Sequence, residues 1–137
     1  MELNQSLKDV LIENTKPKNN LHYNANDIKS LEFENVVDTT LQQIRDILIE
    51  KGKEYRRNNN PFHNFEVGAN KKCISREKVL DGMLLKHEIS IDDMTNDLDL
   101  GKLPTASVVN EKFNDNLIYL IIKKAMFLDR IKKITSI

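Results

Sequence analysis

The sequence predicts an all-α protein: a helical bundle of three long helices behind a short N-terminal helix and a polar arm. Three observations carry that reading. Apolar residues recur at three- and four-residue steps through three separate stretches. Four glycines and three prolines in 137 residues are too few for the turns of an all-β chain. The run Leu117-Ile118-Tyr119-Leu120-Ile121-Ile122 is apolar on nearly every side, as in a helix at the middle of a bundle.

The elements follow in order. Residues 4 to 13 can form a short helix with Leu7, Val10 and Leu11 on one side, and residues 14 to 26 read as a loop or arm without either period. Residues 1–30 are therefore set apart from a single helical domain over 31–137. The first long helix starts at Ser30 as N-cap, with Glu32 and Glu34 in its first turn, and Gly52 closes it. Phe33, Val37, Leu41, Ile44 and Leu48 form its apolar face. Asn58-Asn59-Asn60-Pro61 then breaks the helix, and Phe62 to Ala69 begins a short helical turn. Ser75 caps the next long helix, which runs to about Asp97 with Val79, Leu80, Met83, Leu84, Ile91 and Met94 inward. Gly101 and Pro104 mark the connection. The last helix runs from near Ser107 to about Lys132, with Phe113, Leu117, Leu120, Ile121, Leu128 and Ile131 facing the core.

Composition narrows the function classes. Lysine plus arginine and aspartate plus glutamate each total 21, so the net charge is zero and an electrostatic grip on bulk nucleic acid is not expected. The longest apolar run is far short of the ~20 residues of a membrane span, and no signal peptide is recognisable. The lone Cys73 forms no internal disulfide, which suits a reducing cytoplasm, and it reads as a buried or idle thiol. A last helix apolar nearly all round points to a homo-oligomer with sites near its interface.

Two acidic pairs have helical spacing: Glu88 with Asp92, and Glu111 with Asp115. On adjacent helices they can offer carboxylates to Mg²⁺, a hard cation that prefers oxygen. The alternative is that they are solvated surface acids. His87 lies in line with Leu80, Leu84 and Ile91, either as a ligand contact or as a histidine at the core's rim. Lys51, Lys53, Arg56 and Arg57 accompany Tyr55, Phe62 and Phe65, a mixture that can hold a phosphate and stack a base. The same residues can equally form a basic loop whose aromatics cap the core.

From Ile49 onward the features fall in a characteristic order. Lys51-Gly52-x-Glu54-Tyr55 precedes Asn64-Phe65, followed by Lys86-His87-x-x-Ser90-Ile91-x-Asp93-Met94 and Glu111-Lys112-x-x-Asp115-x-x-x-Tyr119-Leu120. Over about residues 34 to 128 this order resembles small, mostly phage-encoded proteins related to the MazG-like all-α nucleoside-triphosphate pyrophosphatases. The resemblance implies a nucleotide ligand, with Mg²⁺ if the protein is an enzyme. It places Glu111 and Asp115 as the catalytic acids, with Glu88, Asp92 or Asp93 as metal ligands on the facing helix and Tyr119 one turn beyond Asp115. Lys51, Tyr55, Arg57, Phe65, Lys86, His87 and Tyr119 are the expected substrate contacts. The chain departs from the family's pattern in lacking a Glu-Glu-x-x-Glu cluster and in carrying Lys112 where an acid precedes the aspartate by three residues. Those departures favour capture of a nucleotide, such as a host immune signal, over its hydrolysis. A helical protein-interaction module is the remaining alternative.

Overall fold

A computed structural model describes residues 25–136 as four helices: α1 (Ala25–Tyr55), α2 (His63–Lys72), α3 (Arg76–Asp99) and α4 (Ala106–Thr135). The expected helix at residues 4–13 lies outside the described residues. No strand occurs among the described residues, and no helix there is long and apolar enough to cross a membrane.

Local chemistry sets most of the boundaries. The Ser75 hydroxyl accepts from the Lys78 amide at 3.2 Å, and Thr105 caps α4 by accepting from the Val108 amide at 3.3 Å. At the end of α3, Gly101 takes φ +78°, and the amides of Gly101 and Lys102 bond back to Leu98 and Asp97. This is a glycine C-terminal motif in which a side chain would strain the backbone. The start of α1 differs from the sequence expectation. Ser30 lies inside the helix, which begins at Ala25 and so takes in the last six residues assigned to the arm. Nor does Gly52 end it: α1 continues to Tyr55 and stops before Asn58 and Asn59, both at positive φ. Cys73 is exposed rather than buried, at the left-handed residue that closes α2.

Helices α3 and α4 are antiparallel. Contacts run in opposite order along them: Glu77 with Arg130, Asp81 with Lys123, and His87 with Tyr119. Between these lies the core, made of Phe65 from α2, Val79, Leu80 and Leu84 from α3, and Met126 from α4. Leu80 and Met126 have no exposed surface. The short helix α2 seats against α3 at Gly68, where an added Cβ would come within 2.9 Å of Val79 Cγ1. Helix α1 meets α4 through a 2.8 Å hydrogen bond from Asn114 Nδ2 to Gln43 Oε1, and Ile47 lines a cleft with α4 residues.

The core face of α4 is not the one expected from periodicity. Phe113, Leu117, Leu120, Ile121, Leu128 and Ile131 are exposed, and Asn114, Ile118 and Met126 are buried. With aliphatic residues on both sides of the helix, the pattern alone does not select a face. Packing selects the side on which Asn114 reaches Gln43 and Met126 reaches Leu80. On α1, of the expected apolar face, Ile44 is buried and Leu48 partly so, whereas Phe33, Val37 and Leu41 are exposed. On α3, Val79, Leu80 and Leu84 are buried as expected, and Met83 is exposed.

An ionic clamp holds α2, α3 and α4 together. The Arg76 side chain, 10% exposed, donates to Asp129 Oδ2 at 2.7 Å and to the Met126 carbonyl at 3.2 Å, with Glu66 and Glu77 beside it. Its guanidinium lies 4.7 Å from the centre of the Phe62 ring. Arg130 grips both oxygens of Glu77, at 2.6 and 2.7 Å. That bidentate contact holds the Glu77 carboxyl at about 2, well below its ordinary 4.5. No buried side-chain nitrogen or oxygen among the described residues lacks a partner.

These contacts fix two expected outcomes. Leu80→Ala removes a fully buried side chain and should cost about 2–5 kcal/mol in urea unfolding, whereas Gly68→Ala should destabilise through its clash with Val79. Because the Glu77 carboxyl is depressed in the fold, its contribution is complete above the ordinary 4.5 and is lost as pH falls toward about 2. The stability gap between the native chain and Glu77→Gln should therefore be widest near neutral pH and close progressively across that acid window.

Candidate functional site

Five of the expected site residues converge where three helices meet α4. Asp115 and Tyr119 stand one turn apart on α4, His87 faces them from α3, Lys51 reaches across from α1, and Phe65 closes the floor from α2. The spacing explains the convergence. His87 is two turns beyond Leu80, and Tyr119 two turns before Met126, so the antiparallel packing that buries those two also brings His87 to Tyr119.

Asp115 is the electrostatic centre of the group, with its side chain 23% exposed. Lys51 Nζ lies 4.0 Å from Oδ1, and His87 Nδ1 lies 3.7 Å from Oδ2, an ion pair when the imidazole is protonated. The His87 and Tyr119 rings stack with centroids 5.0 Å apart and 32° between their planes. Phe65 meets Tyr119 edge-on at 6.4 Å. The aromatic pair is continuous with the core, while Lys51 and Asp115, without His87 or Tyr119, line a cleft of about 380 Å³ between α1 and α4. Gln43, Asp46, Lys51, Asn110, Glu111 and Asp115 supply its polar walls.

Other expected site residues stand apart. Lys86, Glu88 and Asp92 are exposed on α3, and Arg57 is exposed in the turn after α1. Glu111 lines the cleft but is itself exposed. The Tyr55 side chain lies outside the described residues. Glu88, Asp92, Glu111 and Asp115 do not assemble into a magnesium site. No group of three or more His, Cys, Asp or Glu side chains able to hold a metal occurs among the described residues. The reason is geometric: His87 is turned toward Asp115 while Glu88 and Asp92 are exposed on α3, and Asp115 already has Lys51 and His87 beside its two oxygens. These residues do not fit Mg²⁺, and no metal-assisted step is derived from them.

Two residues of the site went unrecognised in the sequence. Gln43 and Asn114 tie the walls of the cleft together, and Asn114 is only 4% exposed. The signal was present as an amide within the apolar pattern of the last helix, a residue that packs inward only with a partner. A wider groove of about 770 Å³ lies elsewhere among the described residues, lined by Leu41, Ile49, Arg45, Lys53, Arg56 and Asn59, and touches none of the five converging residues. None of the ring and ion-pair contacts described above falls in it, and the candidate site is taken where those contacts meet.

The Gln43–Asn114 bond fixes how α1 sits on α4, and Asn114→Ala should lower the unfolding free energy by ~1–2 kcal/mol in thermal or urea denaturation. No protein family, no curated protein and no solved structure matches this chain.

Proposed function

We propose that the chain binds a nucleotide or a related phosphorylated small molecule in the cleft between α1 and α4, and holds it without cleaving it. The observation that carries the reading is the meeting of Lys51 and His87, from two different helices, on the single carboxylate of Asp115. The Lys51 ammonium and the His87 imidazole, as nitrogen donors, are positioned to turn from Asp115 to a phosphate, and the Lys51 side chain is 44% exposed and able to move. Asp115, so released, accepts from a sugar hydroxyl or a base amine. The partly exposed His87 and Tyr119 rings offer aromatic surface beside them.

Capture is favoured over hydrolysis by the donor set. A pyrophosphohydrolase of the MazG-like type would need several carboxylates around Mg²⁺, and here the acids are dispersed. The MazG-like resemblance supplies the ligand class, a nucleotide, and with it the sense of a phage-type protein that sequesters a host signal in the cytoplasm. A second reading, a helical interaction module, has its own support in the apolar residues exposed along α1 and α4.

Calorimetry against linear and cyclic nucleotides, with Mg²⁺ and with chelator, tests the proposal. Expected is saturable binding in both conditions, recovery of intact ligand by chromatography, and about tenfold weaker binding in Lys51→Ala and in His87→Ala. Turnover that requires Mg²⁺ would replace capture with catalysis. Binding unaffected by both substitutions would move the ligand out of this cleft.

A further inference from the structure

The outward side of α4 carries a second pattern, distinct from the cleft. Phe113, Leu117, Leu120, Lys124, Phe127, Ile131 and Ile134 follow one another at alternating steps of four and three residues, and every one is exposed. That alternation is the seam of a coiled coil, in which each side chain of the stripe inserts between residues of a facing helix. Ile121 and Leu128, at 42% and 55% exposure, widen the stripe along one edge. Along the other edge lie Lys123 and Arg130, each already paired inside the chain, with Asp81 and Glu77. The stripe thus has one apolar border and one border whose charges are satisfied.

We infer that this stripe is the interface of a homodimer, formed by the α4 helices of two copies packed antiparallel. The area is right for it. Exposed surface on the eight apolar residues is on the order of 700 Å² per copy, close to the ~800 Å² per partner of a standard stable interface. A heptad seam is best filled by a helix of the same spacing, and the chain itself supplies one. Lys124, the charged residue in the stripe, sets the direction. Parallel, in-register helices would place it against its own copy. Antiparallel helices place it against Leu120 or Phe127 of the other chain, where its aliphatic stem lies along the seam and the ammonium reaches water. The same lysine argues against a lipid surface, since it would be carried toward hydrocarbon from the middle of the apolar face. The inference is independent of the ligand bound in the cleft.

Light scattering during size exclusion of the full chain should give twice the 15.9 kDa of one copy. Leu120→Glu with Phe127→Glu should give a monomer that keeps its helical circular dichroism. Lys124→Leu, which removes the charge from the seam, should tighten self-association by about tenfold. Ile131→Cys in a Cys73→Ser background should not oxidise to a cross-linked dimer, because antiparallel helices keep the two positions apart. A native monomer overturns the inference, and one that sediments with phosphatidylcholine vesicles would assign the stripe to lipid. A dimer that survives the paired glutamates overturns it too. Should those glutamates prevent folding, an unchanged affinity in Lys124→Leu decides against the seam. Efficient cross-linking through position 131 would overturn the antiparallel arrangement.

Discussion

Among the described residues, Leu80 of α3 and Met126 of α4 are wholly withdrawn from solvent, and their shared cluster sets the register of the two helices. Because a helix is rigid over several turns, fixing one level of an antiparallel pair fixes the others. A turn or so to one side stand Glu77 and Arg130; two turns to the other stand His87 and Tyr119. The clamp and the candidate site are thus consequences of one packing decision. Burial of Leu80 and Met126 supplies the favourable free energy, and the ionic groups around them specify the alignment.

Arg76 illustrates how the polar network serves the apolar one. Its guanidinium meets carboxylates from α2, α3 and α4 and covers the Phe62 ring, so the open end of a small core is sealed by a cation. The core itself is short: it occupies the first part of α3 and the middle of α4, and both helices extend beyond it. Beyond its reach, contacts become polar and sparse. That change of character gives the region around Asp115 a cleft rather than a packed interior, and it leaves the C-terminal half of α4 covered on one side only.

The same asymmetry connects the two functional proposals. Helix α4 has an inner face that carries Asp115 and Tyr119 of the candidate site and an outer face that carries a regular apolar stripe. One helix is able to serve both purposes because 3.6 residues per turn separate the faces completely. Asn114, adjacent in sequence to Phe113, is buried against α1 while Phe113 points away.

The sequence by itself determined what depends on near neighbours. Ser75 as a cap, Gly101 as a terminator, the break at Asn58 to Pro61 and the helical character of each long stretch all follow from bonds spanning a few residues. The inward line of Leu80, Leu84 and His87 was legible for the same reason, since only one side of α3 is suitably apolar. Tertiary structure decided what depends on distant partners. Glu77 is buried because Arg130, 53 positions later, meets both of its oxygens. On α4, where either face could have packed, the contacts of Asn114 with Gln43 and Met126 with the Leu80 cluster chose the inner one. The acids expected around one metal were spaced correctly along their own helices. Glu88, Asp92 and Glu111 are exposed, and which side of a helix faces its neighbour depends on a rotation that no local pattern encodes.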